Sequence, residues 1–218
     1  MNVLFIGNSY TYFNDLPAVF ASLAAENGQE ITVQSVTQGG RRLHQFKDAD
    51  DAYTKQLGEV LAENPIFDVV FLQEQSMLPY RDYDAFFDGA SHVADTVRAA
   101  GAKRIVFYVT WGRRPDCPTL DEMGWTHDSM TDGLAAAYRR AADALGADCA
   151  PVGAAFHRLV AADGGAYLYD PDGSHPSYAG TALAAIVMYK TVFGEMPETL
   201  ASLALAEDIA KVLVSAVQ

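Results

Sequence analysis

Five short apolar runs, NVLFIG, ITVQSVT, FDVVFLQ, RIVFYVTW and DCAPVG, recur along the chain with longer segments between them. They are rich in Val, Ile and Phe and almost continuous in hydrophobicity, as expected of parallel strands covered on both faces. The segments between them carry helical spacing, most clearly Met130, Leu134, Tyr138, Ala141 and Leu145, three and four apart along one face. Alternation of strand and helix predicts an α/β fold, a doubly wound five-stranded sheet between two layers of helix. Toward the C-terminus, Pro176 is placed to start a helix in HPSYAGTALAAIVMYK and Gly194 to stop it, and LALAEDIAKVLVSAV reads as one further helix.

At 218 residues the chain is long enough for one sizeable core, and no repeat or linker-like stretch divides it, so residues 1–218 are expected to form a single domain. A net charge of -13 repels phosphate backbones and anionic lipid, which argues against nucleic acid or membrane partners. No apolar run approaches the roughly 20 residues needed to span a bilayer, and the N-terminus lacks the basic-then-apolar pattern of a signal peptide; a cytoplasmic protein is expected. Cys117 and Cys149 have no metal-ligand spacing around them and are expected to be reduced. No cofactor and no metal is expected.

In open α/β sheets, ligands bind beyond the carboxyl ends of the strands, where loops and helix N-termini converge. There stand Gly7, Asn8 and Ser9 after the first strand and Gln38, Gly39, Gly40, Arg41 and Arg42 after the second. Gln73, Glu74, Gln75 and Ser76 follow the third, and Trp111, Gly112, Arg113 and Arg114 the fourth. A serine hydroxyl is a weak nucleophile that needs a base, and the base needs a third group to hold its tautomer. Of His44, His92, His127, His157 and His175, only the last stands in a loop thick with turn residues, YDPDGSHPSYAG, with Asp172 three residues before it. A carboxylate at that spacing can fold back to Nδ1 of the imidazole and leave Nε2 to face a serine. Alone, D-x-x-H reads equally as a helix cap before a surface histidine, and G-N-S as a simple turn. The same loops also admit a phosphate cradle of the flavodoxin-like kind, a divalent metal held by Asp170, Asp172 and His175, or a non-catalytic binding module.

Taken together, IGNSYT behind the first strand, a glycine after the second, a polar block after the third and DGSHPS before the C-terminal helix resemble the SGNH or GDSL serine esterase and lipase superfamily. The resemblance spans the chain and implies a three-layer α/β/α sandwich with parallel strand order 2-1-3-4-5. It also implies an esterase acting on a small-molecule ester, with Ser9 as nucleophile, His175 as base and Asp172 orienting it. Gly40, or its neighbour Gly39, matches the glycine whose N–H joins that of Ser9 in the oxyanion hole. The third block departs from the family's G-x-N-D: the strand runs into Gln73, Glu74, Gln75 and Ser76. A glutamine amide can donate the hydrogen bond that the family's asparagine supplies, so Gln73 is expected in the oxyanion hole, with Gln75 as the alternative. Glu74 is expected to point away.

Two arginine pairs also follow strand ends. They are either solvated loop charges or, through Arg41 and Arg113, contacts for an anionic group on the substrate. Trp111, Tyr10, Tyr12 and Tyr80 are likewise loop packing or a wall for a sugar ring.

Overall fold

The computed structural model describes residues 1–63 and 66–217; Asn64, Pro65 and Gln218 lie outside the described residues. Strands β1 (Asn2–Gly7), β2 (Thr32–Thr37), β3 (Val69–Leu72), β4 (Ile105–Tyr108) and β5 (Asp148–Ala150) form one parallel sheet in the order β2-β1-β3-β4-β5. β1 is central to the register, with Phe5 opposite Ser35 on one side and Phe71 on the other.

The helices are α1 (Ser9–Tyr12), α2 (Leu16–Glu26), α3 (Ala52–Glu63), α4 (Leu78–Arg81), α5 (Tyr83–Ala99), α6 (Pro118–Met123), α7 (His127–Leu145), α8 (Val152–Asp163), α9 (Tyr178–Phe193) and α10 (Glu207–Val217). Because side chains alternate across a strand, β1 sends Val3 and Phe5 to one face and Leu4 and Ile6 to the other. The first face packs on Phe20 of α2, Phe156 of α8 and the apolar body of α9; the second packs on Phe86 and Val93 of α5 and on Met130 and Leu134 of α7. This explains the continuous apolar runs: β1, β3 and β4 are buried on both sides. β2 lies at the sheet edge with all but Val36 exposed or half-buried, which suits its polar run Thr32–Thr37.

α9 is buried from Gly180 to Tyr189 without interruption, hence apolar all round rather than on one stripe. It starts behind the Ser177 cap, one residue after Pro176, and stops at Gly194, whose φ of 81° is left-handed. The last expected helix starts later than its pattern suggested: residues 201–203 form a 3-10 turn, Ala204 turns left-handed with φ 49°, and α10 begins only at Glu207. Among the described residues no helix is long and apolar enough to cross a membrane.

Candidate active site

The carboxyl edge of the sheet brings the two ends of the chain together. β1 delivers the backbone to Asn8, whose side-chain oxygen caps α1 by accepting from the Tyr10 N–H, and Ser9 opens that four-residue helix. Gly7 serves here by its small size and does not take up a left-handed turn: a Cβ would come within 2.5 Å of Thr11 Oγ1 and 2.6 Å of Gln73 Oε1. Asn14 and Asp15 take the left-handed conformation, at φ 52° and 53°, costly for residues other than glycine. That geometry lets the Asn14 amide donate to Pro176 O and Thr181 Oγ1, which ties the Ser9 segment to the start of α9.

Across this junction Ser9 Oγ lies 2.9 Å from His175 Nε2, and His175 Nδ1 lies 2.5 Å from Asp172 Oδ2. The other carboxylate oxygen, Oδ1, accepts from the backbone N–H of Ser174 and of His175, both at 2.9 Å, so a tight turn around Gly173 (φ 67°) aims the carboxylate at the ring. Burial pushes the Asp172 carboxyl up, but its hydrogen bonds from His175 and Ser174 outweigh that and hold it below the usual value. The imidazole stacks on Phe13 at 4.3 Å and meets the edge of Tyr10 at 5.5 Å. Tyr10 was among the expected wall residues and does line the pocket, whereas Phe13 was not expected; both follow Ser9 within a turn and meet the His175 ring.

A pocket of about 210 Å³ opens at this contact, with Asn8, Ser9, Gly40, Gln75, Arg113 and His175 among its walls. Gly40 sits at φ 67°, which favours glycine, and its N–H and that of Ser9 have no acceptor among the described residues. Gly39 packs against Tyr12 instead.

Three expectations need correction. Gln73 does not face the pocket. It is wholly buried beneath Asn8, its oxygen accepting from Asn8 N and Thr11 Oγ1 and its amide nitrogen donating to Asn8 Oδ1 and Glu74 O. The amide is thus consumed in holding the Ser9 turn. Gln75 lines the pocket; its oxygen caps α4 by accepting from Met77 N and Leu78 N, and its NH2 group donates one hydrogen to Ser76 Oγ at 3.2 Å, which leaves the other unspent among the described residues. Arg41 is also buried, paired with Asp51 at 2.5 Å, bonded to Gln38 and laid over Phe46 at 4.1 Å, and it holds the Asp51 carboxyl down at about 2. It braces the Gly40 loop from behind. For Trp111 the packing alternative holds and the wall does not: it is fully buried between Tyr10 (4.7 Å) and Phe156 (4.1 Å), with its N–H on Ser174 O, as a floor under the turn that carries His175.

Glu74 points away from the pocket, as expected, and joins two of its loops. Its carboxyl accepts from Leu43 N at 3.1 Å and Gln75 N at 2.6 Å, so the Gly40 loop and the Gln75 loop share one anchor. Burial pushes its pKa up to about 7, against the pull of those two N–H groups and of Arg42. The folded protein therefore keeps this proton up to about pH 7, whereas the unfolded chain releases it near 4.5. The resulting stability is fully present below pH 4.5 and is lost as pH rises through 7, by on the order of 3 kcal/mol. Urea unfolding at pH 5 and pH 8 is expected to show that slope in the wild type and a much flatter response in Glu74→Gln; equal slopes would exclude Glu74 as the source.

Asp170 contributes its backbone to the His175 turn, with its N–H on His175 O. It does not join Asp172 and His175 as a ligand set: among the described residues the metal-compatible group is His127, Asp128 and His157, whose two rings lie nearly parallel 5.4 Å apart.

No protein-family model matches the chain, and no curated protein matches it. Among solved structures, one from Slackia heliotrinireducens assigned to the SGNH hydrolases is 35% identical, covers 88% of this chain and 98% of its own, and superposes with a TM-score of 0.77. A DUF4886 family protein from Bacteroides uniformis covers all of this chain and 93% of its own at 16% identity, with a TM-score of 0.82. An acetyl xylan esterase covers 88% of this chain and 100% of its own at 17% identity, with a TM-score of 0.66. The last two show the fold; the first, at its level of identity over nearly its full length, shows that this protein belongs to the SGNH hydrolase family.

Proposed function

We propose that the protein is a serine esterase that removes a small acyl group from an ester through an acyl-enzyme on Ser9. The observation that carries this reading is the 2.9 Å contact between Ser9 Oγ and His175 Nε2, with Asp172 behind the ring. His175 Nε2 takes the proton of Ser9 as Oγ attacks the carbonyl carbon, and returns it to the departing alcohol; water then repeats the sequence on the acyl-enzyme. The negative charge on the carbonyl oxygen is met by the N–H groups of Ser9 and Gly40 and by the Gln75 amide, donors held in place before the substrate arrives.

The pocket volume of about 210 Å³ is below the roughly 300–1,000 Å³ of sites for drug-sized ligands. Acetyl is the group that fits best, and the name of the acetyl xylan esterase among the structural neighbours is in keeping with it. A fluorophosphonate probe is expected to label Ser9, read by mass spectrometry of the peptide, and p-nitrophenyl acetate to be hydrolysed faster than the octanoate. Labelling elsewhere, or activity abolished by EDTA and not by the probe, would overturn the reading.

The third donor has its own test. Gln75→Ala is expected to lower kcat by about a hundredfold, as loss of one oxyanion donor does. Gln73→Ala strips buried partners from Asn8 and Thr11, so its effect should appear first as a lower melting temperature. A larger kcat loss in Gln73→Ala than in Gln75→Ala, at temperatures where both are folded, would return the role to Gln73.

A further inference from the structure

Arg113 is the one permanently cationic side chain among the residues lining the pocket. It is half-buried, its Nε is buried with no hydrogen-bond partner, and no carboxylate is paired with it among the described residues. Two of its counterparts at the strand ends have a counter-charge: Arg41 pairs with Asp51, although its own Nε is likewise without a partner, and Arg114 pairs with Asp116 at 2.5 Å. What sets Arg113 apart is its place at the pocket wall with no counter-charge among the described residues, since a half-buried charge is favourable chiefly when paired.

The loop that presents it is held from four sides. Arg113 O lies 2.9 Å from His127 Nδ1, Gly112 N donates to Thr131 Oγ1, Gly112 O accepts from Tyr169 OH, and Arg114 N donates to Gly173 O beside Asp172. Gly112 has no room for a side chain, since a Cβ would come within 2.5 Å of both His127 O and Thr131 Oγ1. Arg113 is thus fixed relative to the turn that carries His175. In a protein of net charge -13, a cation placed at the reacting serine also creates the local field that lets an anion approach.

We propose that Arg113 is a specificity-determining residue that binds a carboxylate on the ester substrate, close to the bond being cleaved. This rests on the serine esterase reading. A planar guanidinium matches a carboxylate in two-point geometry, and such charge-assisted bonds are worth about 10 to 100-fold in affinity. The two oxygens of the carboxylate are met end-on by the Nη groups, which unlike Nε are not buried.

Two matched pairs test the proposal. Mono-p-nitrophenyl succinate against p-nitrophenyl butyrate puts the carboxylate on the acyl side; acetoxyacetate against acetoxyacetamide puts it on the alcohol side. Wild type is expected to favour the anion at least tenfold in kcat/KM in one pair, and Arg113→Gln to lower that preference at least tenfold. Preferences within about threefold in both pairs, or a preference that survives Arg113→Gln, would overturn it. Calorimetry on Ser9→Ala separates this from the esterase reading: acetoxyacetate or succinate is expected to bind it at least tenfold more tightly than Ser9→Ala/Arg113→Gln. Equal binding refutes the carboxylate site, whereas Arg113-dependent binding by a protein that hydrolyses none of the four esters refutes the esterase reading alone.

Discussion

His175→Ala is expected to lower kcat on p-nitrophenyl acetate by about 10⁵-fold or more, with Ser9→Ala and the double variant falling to the same residual rate. The reason is chemical dependence between the two groups. A serine hydroxyl at neutral pH holds its proton, and the neighbour placed to take it, at 2.9 Å, is His175 Nε2. Once either is gone the other has no partner, so the losses do not add; what remains is the positioning of the ester and the backbone donors of Ser9 and Gly40. The His175 ring is half-buried and stacked on Phe13, so its removal should shift the melting temperature by only a few degrees. A loss of less than tenfold in a folded variant would remove His175 from the mechanism.

Asp172→Asn should cost about 10⁴-fold in kcat while leaving the turn intact. Two backbone N–H groups, of Ser174 and His175, point at Oδ1, and they select the oxygen of an asparagine for that position. The amide NH2 must then occupy the place of Oδ2 and face Nδ1. An NH2 can only donate, so Nδ1 becomes the acceptor and the ring proton moves to Nε2. The base would meet Ser9 with a proton where its lone pair is needed. Nitrogen-15 shifts of the ring should show that exchange of tautomer, and an unchanged tautomer with unchanged kcat would refute the role.

Much of this arrangement was legible in the residues themselves. The near-continuous apolar runs announced strands covered on both faces, and Asp172, three residues before His175 in a loop rich in Gly and Pro, announced the turn that now holds them 2.5 Å apart. The misread residues share one cause. Gln73, Arg41 and Trp111 all follow strand ends, and a polar or aromatic side chain there can turn toward the pocket or back under the loop that forms it. For Gln73 the choice is made by two donors from the cap of α1 and from α1 itself, Asn8 N and Thr11 Oγ1, which lie 65 and 62 residues away in sequence. For Arg41 it is made by Asp51, and for Trp111 by the gap between Tyr10 and Phe156. Local sequence has no access to the distant partners of Gln73 and Trp111, and for Arg41, whose partner is ten residues on, it does not show which way the loop folds. The late start of α10 is a different case: helix propensity continues through Leu203–Ala206, but the left-handed turn at Ala204 interrupts it.

The distance along the chain between the two reacting groups carries a consequence for synthesis. Ser9 and His175 are 166 residues apart, so at 5–20 residues per second the serine emerges on the order of ten to thirty seconds before its base has been made. During that interval it is an ordinary hydroxyl, inert toward esters and toward the growing polypeptide beside it. On the serine esterase reading, reactivity switches on when α9 docks on α2 and α8, and the first turnover of a newly made molecule would report that the sheet has closed from one end to the other.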